Sequence, residues 1–214
     1  MLWGETRQDD PGGKDLAATG KTNARSRRTR RQLREAVLAL AEREDLANIG
    51  VNDITAEAGL NRTTFYLHYA GREAAIADAL AMLIEEMSAG GLGLIAADDP
   101  IARRREGAND TFFREIGKRP ELFRRLLRDQ RPGSFADRLH AVNATAIIDL
   151  WCKLGFAEST DGPPWPVLAS YAAMGLNGIV LAWLDSGMAA ASNTVADWTW
   201  DIVVATGAAA SAER

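Results

Sequence analysis

The thirteen residues from Asn61 to Glu73, NRTTFYLHYAGRE, bring together two threonine hydroxyls, two phenols, an imidazole and two guanidinium groups. Wound as a helix at about 100° per residue, Phe65 and Tyr69 fall on one side with Arg62 and Tyr66 at its edges. Thr63, Thr64, Leu67 and His68 share the other side. The first side can pack against a neighbour. The second suits the major groove of a duplex, where threonine bonds base edges or phosphates and an apolar side chain meets a thymine methyl. The Tyr66 hydroxyl, at the edge of that face, can reach a phosphate. Arg72 opens the next helix and adds its charge to a helix N-terminus whose amides also favour phosphate.

A face of this kind must be held by other elements. The spacing of Leu33, Val37, Leu40 and Ala41 predicts a helix from about Ser26 with one inward stripe. Val51–Ala58 reads as a short second helix, stopped at Gly59 in a left-handed conformation, and Asn61 as the N-cap of a third running from Arg62 to about Tyr69. Two helices of about two turns each cannot stand alone in water. They must lean on the first, and helix, glycine-containing turn, helix is the outline of a helix-turn-helix. Further helices are predicted over Arg72–Ser88, Pro100–Lys118, Pro120–Asp129, Ser134–Leu154, Pro166–Ser186 and Thr194–Ala209, nine in all. The expectation is an all-α chain with a mobile arm over residues 1–24, a DNA-binding unit over 25–71 and a helical body over 72–214.

Charge separates the two ends. Between Lys21 and Arg72 stand ten basic and six acidic residues, so with a net charge of −4 overall the rest of the chain is about −8. A basic unit on an acidic body implies a polyanion partner for one end only. The arginine run from Arg25 to Arg34, with Arg28 central, is either a solvated helix start or a further DNA contact. A hydrophobic fraction of 47% is enough to bury a core. The lone Cys152 excludes an internal disulfide framework, is expected as a small buried hydrophobe, and no leader or long apolar span is read, which predicts a soluble, cytoplasmic protein. With two histidines, no metal-ligand spacing and no glycine-rich phosphate loop, the chain offers no catalytic constellation, metal site or cofactor site.

The stretch RRTRRQLREAVLALAEREDLANIGVNDITAEAGLNRTTFYLHYAGREAAIADAL, with Thr64, Tyr66 and His68 in a T-x-Y-x-H pattern, resembles the N-terminal DNA-binding domain of TetR/AcrR transcriptional regulators. That resemblance implies phosphate contacts from Tyr66, His68 and Arg72, and base or groove contacts from Asn52, Arg62, Thr63, Thr64 and Leu67. Three positions depart from the usual pattern: Gly50 where a threonine or serine cap is common, Arg72 for lysine, and Thr55 for alanine.

YAAMGLNGIVLAWLDSGM and the helix after it are similar to the closing pair of helices in such regulators, where two pairs form a dimeric four-helix bundle. The implied interface is Tyr171, Gly175, Ile179 and Trp183 on one helix and Val195, Trp198 and Ile202 on the other. The resemblance also implies a small-molecule cavity in the body, for which Phe113, Phe123, Asn143, Ile147, Trp151, Met174 and Asn177 are the candidates, although the apolar ones equally suit an ordinary core. The function expected is a homodimeric repressor released from a near-palindromic operator by an effector. A helical protein-interaction module, an activator and an effector-independent regulator are the alternatives.

Overall fold

The computed structural model describes residues 12–87, 101, 110–129, 131–160 and 162–211. Among them there are nine helices and no strand. They are α1 (Gly12–Ala41), α2 (Val51–Glu57), α3 (Arg62–Tyr66), α4 (Arg72–Met87), α5 (Thr111–Lys118), α6 (Pro120–Arg128), α7 (Phe135–Lys153), α8 (Trp165–Asp185) and α9 (Ser192–Ser211). The expected AGGLG break after α4 and the first part of the Pro100–Lys118 helix lie outside the described residues.

The first correction concerns α1. Residues Gly12 to Asn23, read as part of a mobile arm, continue the helix in the N-terminal direction. No proline stands between Gly12 and Ser26 to remove a ladder N–H and end the helix, although Gly12, Gly13 and Gly20 are weak helix formers. At 1.5 Å per residue, α1 is about 45 Å long, and its C-terminal half carries a core stripe with Leu33, Val37 and Leu38 almost fully buried.

The short helices form as their local signals require. Gly59 turns the chain at φ 64°, a conformation that costs glycine nothing. The Asn61 side chain accepts the Thr64 N–H at 2.7 Å, capping α3. Gly50 begins α2 with no side chain to offer, so only half of a capping box exists: the Asp53 carboxylate accepts the Gly50 N–H at 2.8 Å. Regular α3 ends at Tyr66, earlier than Tyr69, but N–H groups of His68 and Tyr69 still bond to the Phe65 carbonyl and carry the turn onward.

One hydrophobic core runs without a break from α1, through Phe65 and Tyr69, into α4, α5, α6 and the N-terminal part of α7. A second cluster fills the far end of the body, built on Trp151, Trp165 and Trp200 where α7, α8 and α9 meet. Trp151 is fully buried, donates its Nε1–H to the Val203 carbonyl at 3.0 Å and stacks edge-on against Trp165. α6 braces the two ends. Arg119 pairs with Glu42 at the end of α1, while Arg124 and Arg128 hold Asp185 at the end of α8.

Candidate nucleic-acid interface

The third helix is two-sided, as its spacing predicts. Phe65 is fully buried and Tyr69 nearly so, the two rings 5.6 Å apart. On the opposite side Tyr66 is 50% and Leu67 78% exposed, Thr63 is open to solvent, and Thr64 and His68 are half-buried. A large aliphatic side chain held so far out of the core at the end of a capped turn has no packing role in this chain.

Asn52 and Arg62, separate in sequence, meet on that surface. Arg62 donates from Nη1 to Asn52 Oδ1 at 3.2 Å and from Nη2 to the Tyr66 hydroxyl at 3.3 Å, with its guanidinium 5.9 Å from the Tyr66 ring centre. Tyr66 in turn lies edge-on to buried Phe65 at 5.4 Å. A cation is therefore held between α2 and α3 on a face that otherwise presents hydroxyls, an imidazole and one leucine. This arrangement can offer donors to phosphate and base edges and an apolar contact beside them.

Arg72 and two arginines of the N-terminal run also make bonds within the chain. Arg72, expected to clamp phosphate, donates Nη1 to the carbonyls of Ala47 and Ile49 at 2.8 and 3.1 Å and Nε to Glu73 at 2.8 Å. It straps α4 to the connection before α2, whose carbonyl groups have no helical partner of their own. Of the arginine run, Arg28 is exposed, but Arg30 and Arg34 turn towards the body and bind Asp78 on α4.

Asp78 is the residue that sequence reading missed. It accepts from Arg34 Nε at 2.6 Å, the Tyr69 hydroxyl at 2.6 Å and Arg30 Nε at 2.9 Å. Burial alone would raise its carboxyl, but the bonds from Arg34, Tyr69 and Arg30 outweigh it and hold the group well below the usual carboxylate range. Burial and the same carboxylate push the Tyr69 phenol up. The only signal was a lone acid within the apolar run AAIADALAMLI.

In the body, the predicted pocket residues divide. Met174 and Asn177 line a cavity of about 470 Å³ between α6, α7 and α8. Phe113, Phe123, Ile147 and Trp151 do not line it; each is buried in a core cluster, Phe113 edge-on to Trp183 and Phe123 against Phe135. Asn143 is fully buried, and neither end of its amide has a hydrogen-bond partner among the described residues. Cys152, expected inside, is exposed, because at that point α7 turns Trp151 inward and its neighbour outward.

The predicted interface residues divide as well. Tyr171 and Gly175 on α8 and Trp198 and Ile202 on α9 are exposed, and Val167, Met174 and Gly178 extend the α8 set along one helix face. Ile179 is half-buried, and Trp183 and Val195 point into the core, where Trp183 donates Nε1–H to the Ala190 carbonyl at 2.8 Å. α8 is apolar nearly all round, with a mean hydropathy of 1.7 and length enough to cross a bilayer. On such a helix periodicity alone does not choose the inner face.

No protein-family model matches the chain. A 47-residue segment, 22% of the chain, is 49% identical to an uncharacterized HTH-type transcriptional regulator, YxbF, of Bacillus subtilis (strain 168), of which it spans 12%. Solved structures match over more of the length. A TetR-family transcriptional regulator from Streptomyces coelicolor is 18% identical with a TM-score of 0.65, covering 86% of this chain and 82% of that one. A TetR transcriptional regulator from Streptococcus agalactiae 2603V is 16% identical at 0.64, over 86% and 98%. The dihydroxyacetone kinase operon activator DhaS is 11% identical at 0.62, over 86% and 98%. The helix-turn-helix on α1 to α3 and the helical body behind it thus have the fold of TetR-family transcriptional regulators.

Proposed function

We propose that this chain is a TetR-family transcriptional regulator that binds duplex DNA as a homodimer. The observation that carries the reading is the outward face of α3, where Arg62 is held by Asn52 and Tyr66 beside exposed Thr63 and Leu67. The segment shared with an HTH-type regulator and the fold shared with TetR-family structures support it. The exposed apolar residues of α8 and α9 support pairing with a second copy, because several large apolar side chains left in water on a packed helix pair call for a partner. Two recognition helices then enter successive major grooves about one turn, or roughly 34 Å, apart.

In this reading the body binds a small-molecule effector and the protein is a repressor, released when the effector favours a spacing of the recognition helices unlike that of the operator. One structural neighbour is named as an operon activator, so the sign of regulation is part of the test. Selection of bound sequences from random duplex DNA is expected to yield a palindrome with two half-sites, and placing that palindrome upstream of a reporter is expected to lower expression when the protein is present. Selection without enrichment, or binding indifferent to salt, would overturn the DNA-binding reading.

A further inference from the structure

The bond between Arg62 and Asn52 fixes which end of the Asn52 carboxamide is left for a partner. Arg62 Nη1 lies 3.2 Å from Asn52 Oδ1. A guanidinium carries donors only, so the group facing it is the carbonyl oxygen and not the amide nitrogen. Nδ2, at the other end of the carboxamide, has no partner among the described residues, and Asn52 is exposed.

Each partner is also held by its own helix. Asn52 stands in the first turn of α2, where its backbone carbonyl accepts the Thr55 hydroxyl at 3.0 Å and buried Ile54 and Thr55 anchor the helix. Arg62 is the first residue of α3, directly after the Asn61 cap. Its Nη2 donates to the Tyr66 hydroxyl at 3.3 Å, so Arg62 keeps a second tether that does not depend on Asn52. The geometry of the pair is thus set by two short helices packed on one core, and not by two free side chains meeting in water.

An asparagine side chain with both ends free reads adenine, donating from Nδ2 to N7 and accepting an N6 hydrogen on Oδ1. Here the second bond is opposed, because an adenine amino group approaching Oδ1 meets the Arg62 guanidinium already seated there, donor against donor. Guanine presents N7 and O6 in the major groove, both acceptors, to the two hydrogens of Nδ2. Cytosine presents a donor, and thymine a single acceptor beside its methyl. We infer that Asn52 is a specificity-determining residue that selects guanine in each half-site, and that Arg62 is the positioning residue that denies it adenine. The inference rests on the DNA-binding reading above, in which the N-terminal residues of α3 face base edges and Asn52, bonded to the first of them, lies at the same edge.

The test is selection from random duplex DNA with the full chain as wild type, Asn52→Ala and Arg62→Ala, followed by anisotropy titrations on the selected operator with each base replaced in turn. Both side chains are exposed, so the variants should keep the wild-type circular dichroism. Wild type is expected to prefer guanine at one position per half-site by about tenfold over each other base. In Asn52→Ala that position should become unselective with the salt slope kept, because Arg62 stays on Tyr66. In Arg62→Ala the same position should turn to adenine, as the freed Oδ1 completes the N6 and N7 pair. Asn52→Ala binding more weakly with every base preference unchanged would make Asn52 a phosphate or packing residue and overturn the inference with DNA binding intact. Adenine at the Asn52-dependent position in wild type, or guanine retained there in Arg62→Ala, would overturn it equally. A wild type that enriches no sequence would instead overturn the DNA-binding reading, and this inference with it.

Discussion

The Tyr69 hydroxyl donates to Asp78 at 2.6 Å, joining the turn after α3 to the first helix of the body. Arg34 and Arg30 of α1 donate to the same carboxylate, so α1, the turn after α3, and α4 meet at one charge. Removing that charge leaves two guanidinium groups facing each other. Asp78→Asn is therefore expected to destabilise the protein by about 2 kcal/mol, less than for a fully buried pair because Arg30 is half exposed.

The pH dependence follows from the same bonds. The Asp78 carboxyl is depressed in the folded protein, so its contribution is fully present above its unfolded pKa, about 3.9, and is lost as pH falls through the folded value. Urea melts at pH 7 and pH 2 should show a larger acid loss in wild type than in Asp78→Asn. Equal losses would mean that Asp78 holds no special charge in the folded state.

Gly207→Ala tests the second core. Alanine in a helix interior is ordinarily better than glycine by about 0.5–1 kcal/mol. Here a Cβ at position 207 would lie within 2.7 Å of three atoms of the Trp151 indole, which is itself fully buried and bonded to Val203. Neither ring nor helix can withdraw without breaking that bond. The substitution is expected to cost about 1–3 kcal/mol in thermal unfolding, and a stabilised variant would refute the packing described.

The helix-turn-helix was legible because its signals are local. Gly59, Asn61, Phe65 and Tyr69 each act within one or two turns, through a left-handed φ, a cap bond and a 3.6-residue stripe. Where long-range contacts decide, sequence reading ran out. Arg72 finds the Ala47 and Ile49 carbonyls across more than twenty positions, and Arg34 finds Asp78 across forty-four. On α8 the stripe through Trp183 and the stripe through Met174 are both apolar, and only the position of Phe113 and Ala190 sends Trp183 inward.

That division gives the dimer reading a sharp contrast. Tyr171 is 72% and Trp198 54% exposed, whereas Trp183 is buried among core residues. Tyr171→Asp with Trp198→Asp should yield a monomer in sedimentation velocity with unchanged helical circular dichroism. Trp183→Asp should instead lower the melting temperature sharply, since an unpaired charge in the core costs several kcal/mol. A double variant that remains dimeric would place the interface elsewhere.

On the DNA face, Arg62, Tyr66 and Leu67 should separate by kind of effect. Arg62→Ala removes the cation that Asn52 and Tyr66 hold on the outer face of α3, so anisotropy titrations on the selected operator should show weaker binding and a salt slope reduced by about one phosphate contact. Tyr66→Phe keeps the ring packed on Phe65 but loses the hydroxyl that orients Arg62, and a smaller loss of about 0.5–1.5 kcal/mol is expected with the base preference unchanged. Leu67 carries no charge and no hydrogen-bonding side chain, and it is the most exposed large hydrophobic residue described. Leu67→Ala should therefore leave the salt slope alone and relax selection at one base position per half-site. If all three variants lowered affinity in parallel without touching either salt slope or base preference, α3 would be a structural helix and the reading of its outer face would fail.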